Sequence, residues 1–171
     1  MKISEVIERL NEFFEKWGNL EVCCPSRLID MTNRVHSHNV EFFTKDRVYD
    51  CVNNKVVDLK DGVVINSNEI YEDDLVFNEG ARISGLIDLL NRCQKSKGDV
   101  EVVTTMFSGP TKERDWTLYG SLSEASFNVL KKEGNEVSCL DGSMLGEKVD
   151  RFWPSEHPES MTSVLYIGGR F

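Results

Sequence analysis

The 171-residue chain reads as an α+β protein: two tandem related units, residues 1–80 and 81–171, each a helix packed on a small antiparallel β-sheet. Three observations predict this. The segment ISEVIERLNEFFEKWGNLEVCC at 3–24 returns eighty residues later as ISGLIDLLNRCQKSKGDVEVVT at 83–104. Without a gap, Ile3/Ile83, Ser4/Ser84, Ile7/Ile87, Leu10/Leu90, Asn11/Asn91, Gly18/Gly98, Glu21/Glu101 and Val22/Val102 are identical, eight of twenty-two positions where composition gives about one or two. Within each copy the apolar period switches from helical to alternating at a glycine. Short strand candidates bounded by turn residues then follow each copy.

The first helix is marked by Ile3, Val6, Ile7, Leu10, Phe14 and Trp17 at three- and four-residue steps, with Glu5, Glu8, Glu12 and Glu15 on other faces. Gly18 supplies a left-handed stop. Leu20, Val22 and Cys24 alternate with Glu21 and Cys23 as a strand, which Pro25 ends. Val40–Thr44 and Arg47–Val52 are expected to pair, Asn53-Asn54 to form a tight turn, and Lys55–Leu59 to continue towards Asp61-Gly62. That Asp-Gly pair before Val63–Ile65 is a hairpin signal. Residues 66–80 join the units and are too apolar (Ile70, Tyr71, Leu75, Val76, Phe77) for a loose linker, so the halves are expected to touch.

In the second unit Ile83, Leu86, Ile87, Leu90 and Cys93 form the stripe, Gly98 the stop and Val100–Thr104 the strand. Ser108–Thr111 reads as a turn and Trp116–Tyr119 as a strand. Two readings fit the next stretch. Ser121 and Glu124 stand at capping-box spacing before a short helix through Leu122, Ala125, Val129 and Leu130. Alternatively, Phe127–Lys132 and Glu136–Leu140 form a hairpin. Residues 141–160 read as surface loop, and Val164–Ile167 as a final strand.

Composition narrows the function classes. Hydrophobic residues are 40% and charged residues 29%, as in globular proteins, and no apolar run is long enough to cross a membrane. The N-terminus lacks the apolar core of a secretory signal. Five cysteines without a CxxC pair (Cys23, Cys24, Cys51, Cys93, Cys139) read as reduced thiols in a cytoplasmic protein. The net charge is −9, with 16 acidic and 9 basic residues in 1–80 against 13 and 11 in 81–171. That balance argues against direct nucleic-acid binding and favours a basic protein partner.

No HExxH, GxSxG, Walker, GxGxxG or zinc-type cysteine pattern is present, so the chain is expected not to be an enzyme and to need no cofactor. His36 and His38, two apart, would share one face of a strand, but a third ligand such as His157 is not placed beside them, and they read as surface histidines. The carboxylates expected to meet a partner are Glu5, Glu8, Glu12 and Glu15 on the first helix, with Glu69, Glu72, Asp73 and Asp74 in the connecting segment. Phe13, Phe14, Trp17, Phe42 and Phe43 read as core, with Phe13, at the stripe margin, the one expected to reach a partner or a second subunit.

At Ile3, Ser4, Ile7, Leu10, Gly18, Asn19, Glu21 and Val22, and at Ile83, Ser84, Ile87, Leu90, Gly98, Asp99, Glu101 and Val102, the chain resembles a class of small phage and prophage proteins with a helix, a Gly-Asn/Asp stop and a Glu-Val strand. The resemblance covers about a quarter of the chain and lies in structural residues. It implies a phage origin, and some proteins of that kind block host defences. The charge of residues 1–80 and the lack of catalytic signatures point to a non-enzymatic protein that acts through an acidic surface on a host protein in the host cytoplasm, as an anti-defence or anti-CRISPR-type inhibitor. A homodimer is the other assembly allowed for. The alternative is a nucleotide-binding or sequestering protein, for which Lys112, Arg114 and Arg151 are the cationic candidates, and after it a metal-dependent enzyme using His36 and His38.

Overall fold

The structure, a computed structural model, describes residues 1–23, 38–67, 82–110, 115–133, 136–139, 144–148 and 163–168. It is mixed α+β, with two helices and two sheets. Helix α1 (Ile3–Trp17) leads into β1 (Glu21–Cys23), and α2 (Ile83–Lys97) leads into β6 (Glu101–Pro110). Between them run β2 (His38–Phe43), β3 (Asp46–Asp50), β4 (Lys55–Leu59) and β5 (Gly62–Ser67). After β6 come β7 (Asp115–Ser121), a single 3-10 turn (Glu124–Ser126), β8 (Phe127–Glu133), β9 (Glu136–Cys139), β10 (Met144–Lys148) and β11 (Ser163–Ile167).

The sheets are mixed rather than purely antiparallel. The six-stranded sheet has the order β2-β5-β6-β7-β3-β4, and the five-stranded sheet β1-β11-β8-β9-β10. Strand β6 lies parallel to β5, which is antiparallel to β2. Strand β1 lies parallel to β11, which is antiparallel to β8. Each of the two strands that follow a helix thus takes its parallel neighbour from the other half of the chain, although β1 is an edge strand and β6 is also paired with β7 on its other side.

Both helices bury the same positions in one core: Ile3, Val6 and Leu10 of α1, and Ile83, Leu86 and Leu90 of α2. Val22, Val63, Ile65, Val102, Leu122, Phe127, Val129, Leu165 and Ile167 complete it. Alternate residues of β5 and β6 face the other way, where Val64 and Val103 pack with Val48 and Tyr119, flanked by Phe43 and Leu59. The six-stranded sheet curls far enough for the Phe43 ring to stack on Tyr119, with centroids 6.0 Å apart.

Several local expectations are revised. Strands β2 and β3 do not pair: β2 joins β5, while β3 joins β4 and β7. Asp61-Gly62 is a corner between sheet positions rather than a hairpin turn, because β4 lies at one edge and β5 beside the other. A Cβ on Gly62 would fall 2.4 Å from the Phe43 ring and 3.1 Å from Leu59, so the glycine serves close packing. Asn53-Asn54 does turn β3 into β4, with Asn54 at φ 54°. Ser108–Pro110 continue β6, and part of the expected 141–160 loop is strand β10. In the stretch after β7 the hairpin wins: β8 pairs with β9, and Val129 and Leu130 are buried in the sheet.

The duplicated residues hold the helices to one another. The N–H of Ile3 donates to the Val100 carbonyl, and the N–H of Ile83 donates to the Leu20 carbonyl, both at 3.0 Å, so the helices run antiparallel. Asp99 accepts from the Ser4 N–H at 2.8 Å and from Ser4 Oγ at 2.7 Å. Asn19 Oδ1 accepts from the Ser84 N–H at 3.0 Å, and its Nδ2 donates to Ser84 Oγ at 2.9 Å. The N-cap positions hold Lys2 and Arg82, whose side chains offer no acceptor. Each copy therefore caps the other copy's helix in trans, satisfying donors that a helix start leaves free.

The stop also differs from the expected left-handed turn. Gly18 sits at φ 78°, ψ −168° and Gly98 at φ 85°, ψ −175°, a region that glycine alone occupies readily. It turns the chain at once from the helix into the strand and aims Asn19 or Asp99 at the neighbouring helix start.

Candidate functional site: the outward faces of the paired helices

With the same positions of both helices turned into one core, the opposite positions form a two-helix outer surface. On α1, Glu5, Glu8, Glu12 and Glu15 are all exposed and cluster on the side away from Ile3, Val6 and Leu10, as a 3.6-residue period requires. The structure therefore brings the four expected glutamates onto one face. They are not equivalent. Glu5 accepts the Lys2 N–H at 2.7 Å and belongs to the helix start. Glu12 pairs with Arg9, an exposed i,i+3 contact of small energetic weight. Glu8 and Glu15 complete the outward carboxylates. The other four expected carboxylates, Glu69, Glu72, Asp73 and Asp74, lie outside the described residues.

The equivalent face of α2 carries a different charge. Where α1 has Glu12 and Glu15, α2 has Arg92 and Lys95; Glu8 corresponds to Asp88, and Glu5 to Gly85. Helix α1 holds four acidic and two basic side chains, whereas α2 holds one acidic and three basic. Asp88, Asn91, Arg92, Gln94 and Lys95 line an open groove of about 830 Å³ along α2.

The aromatic expectations divide. Phe13 is not the free one: its ring stacks on Phe127 of β8 at 6.2 Å between centroids, and it packs against the shared core. Phe14 and Trp17, expected in the stripe, are 40% and 39% exposed. The physical reason is the position of the sheet: the buried row runs through positions 3, 6, 10 and 13, as it does through 83, 86, 90 and 93 in α2. The last turn of α1 then overhangs. Phe42 and Phe43 are half-buried on opposite faces of the curled sheet, with Lys97 of α2 lying 4.7 Å over the Phe42 ring.

Glu21 was expected opposite the inward residues of its strand, yet it is 5% exposed, with the Arg82 guanidinium 4.0 Å away. Cys93 is half-buried, and burial raises its thiol pKa above the ordinary value, which suits packing rather than nucleophilic chemistry. Among the described residues, Cys51 and Cys93 are free thiols, and no group of three metal-ligating side chains occurs. Among the described residues no helix is long and apolar enough to cross a membrane. His36, His157, Lys112, Arg114, Arg151, Cys24 and the Cys23 side chain lie outside the described residues. The chain matches no protein-family model, and no curated protein and no solved structure is similar to it.

Proposed function

We propose that this chain is a non-enzymatic binding protein of phage origin that engages a basic surface on a host protein through the acidic face of α1, as an anti-defence inhibitor in the host cytoplasm. The observation that carries the reading is the alignment of Glu5, Glu8, Glu12 and Glu15, all exposed, opposite the buried stripe of α1. Four carboxylates on one rigid helix present a directional negative field, which steers a positive patch into register and raises its on-rate. In this reading the chain consists of two tandem related units, whose identical residues support the fold and whose divergent outer residues do the work.

The test is capture from host lysate at about 50 mM salt with wild type and with the E8K/E12K/E15K variant, which leaves Glu5 in place at the helix start. One host protein is expected on the wild type, released at about 0.5 M salt where screening shortens to a few ångströms, and absent from the variant. Recovery of no partner, or equal recovery on the variant, overturns the reading.

A further inference from the structure

We propose that the chain is an internally swapped duplication: two copies of one α-β-β-β unit, each laying its helix–strand arm on the strands of the other. The face that receives an arm is then an interaction surface whose fitting partner is a second copy of the same unit. This goes beyond the reading above and does not depend on what α1 meets.

The repeat in the sequence covers only the arms, 3–24 and 83–104. The sheets extend it. After the first arm come β2, the antiparallel pair β3–β4 and β5; after the second, with β7 as an addition, come β8, the antiparallel pair β9–β10 and β11. The registers agree as well. Val22 stands beside Leu165 and Leu165 beside Val129, as Val102 stands beside Val63 and Val63 beside Phe42. Two residues further along, Ile167 pairs with Phe127 as Ile65 pairs with Val40. All of these side chains pack in the one core beneath the helices.

The arms are exchanged, because β1 lies beside β11 of the second half and β6 beside β5 of the first. The exchange is reciprocal down to single residues. Lys2 bridges to Glu101 as Arg82 bridges to Glu21, and the two trans caps follow the same rule. Paired contacts of this kind, i to j and j to i, are what a two-fold axis produces when identical units associate by exchanging an element.

The two arm contacts are alternative fillings of one shape. Under α1, three matched inward positions hold Phe13, Phe127 and Val129; under α2 their counterparts are Cys93, Val40 and Phe42. Where the helix and the outer strand position are large, the next strand position is small, and the reverse holds in the other contact. Lys97, 4.7 Å over the Phe42 ring, completes the α2 side. Close-packed interiors impose this kind of compensation when total volume must be kept.

The test is thermal unfolding of the full chain, followed by circular dichroism, with side chains moved between the matched positions. F13C/F127V should lower Tm by about 10 °C or more, since it opens a cavity under α1. Val129→Phe should lower the Tm of the wild type by overpacking, yet raise that of F13C/F127V by about 5 °C, because it rebuilds the filling found under α2. The mirror set should behave alike: V40F/C93F lowers the Tm of the wild type and raises that of Phe42→Val. If F13C/F127V does not fold, the mirror set decides. Val129→Phe destabilising both backgrounds, or V40F/C93F destabilising both, overturns the proposal. Every one of these positions faces inward, so the host-capture result stands or falls separately.

Discussion

The reciprocal caps make a prediction whose sign and pH dependence both follow from the structure. Asp99 accepts two hydrogen bonds at the start of α1, from the Ser4 N–H and Ser4 Oγ, at 2.8 and 2.7 Å. Replacing Asp99 by Ala leaves that N–H to water and removes an anion from a helix N-terminus. A lost N-cap costs about 1 kcal/mol, within a range of roughly 0.5–2. For a chain of this length each kcal/mol corresponds to about 2–4 °C in Tm. Asn19→Ala should cost a similar amount at α2. Ser4→Ala, which removes only the hydroxyl bond, should cost less than Asp99→Ala.

The two caps differ in charge, and that separates them. Hydrogen bonds from Ser4, first from its backbone and then from its side chain, hold the Asp99 carboxyl below its ordinary value of 3.8, with smaller help from Gln94 and Lys2. A folded pKa below the unfolded one adds stability above the unfolded pKa, and that increment fades as pH falls through the folded value. Asp99 is exposed, so solvent limits the electrostatic share, and the cap energy is the main quantity at stake. Urea unfolding from pH 7 to pH 3 should show the gap between wild type and Asp99→Ala narrowing below about pH 4. The gap for Asn19→Ala should stay constant. Asp99→Asn should keep most of the neutral-pH stability and lose its acid dependence. A cost below about 0.3 kcal/mol for both Ala variants, or an Asn19→Ala gap that narrows with acid like that of Asp99→Ala, would refute capping in trans.

Two further outcomes test the packing. Phe13→Ala should destabilise by about 2 kcal/mol or more, since it removes a ring stacked on Phe127, while Phe14→Ala and Trp17→Ala should each cost below about 1 kcal/mol; thermal unfolding ranks them, and the reverse order would mean that the overhang of α1 is wrongly assigned. Gly18→Ala and Gly98→Ala should cost about 1–3 kcal/mol from backbone strain alone, because nothing lies within 4 Å of either added Cβ. Gly62→Ala should cost as much for the opposite reason, collision with Phe43 at an unstrained backbone, so that a smaller residue at position 43 relieves it whereas no neighbour relieves Gly18→Ala.

The helices, their stops and most strands were legible because local period carries them. The buried row of α2 falls on Ile83, Leu86, Leu90 and Cys93, with Ile87 beside it, as the pattern required. The caps were not legible, because the acceptor for Ser4 lies 95 residues away and a lysine occupies the local cap position. Strand partners were misjudged where sequence proximity stood in for pairing: β2 to β3 and β4 to β5 are joined by short links yet lie apart in the sheet. Asp61-Gly62 carried a genuine glycine requirement, but a tertiary one set by Phe43. The aromatic end of α1 failed for a related reason. Period identifies which side chains face inward, not where the sheet beneath them ends.

For the outer surface, the comparison between copies is more informative than either copy alone. Ser4/Ser84, Gly18/Gly98 and Asn19/Asp99 take part in one two-way contact, so a change in either copy unpairs a group in the other, and amide or carboxylate serves equally as acceptor. Positions 12 and 15 have no such tie among the described residues, where the contact of Glu12 with Arg9 is a local one within α1. The step from Glu12 and Glu15 to Arg92 and Lys95 reverses the charge while both helices keep the same buried row. Solubility alone would be served by either sign on both helices. A surface negative on one helix and positive on its antiparallel neighbour discriminates by orientation, since only a partner with the opposite arrangement satisfies both halves at once.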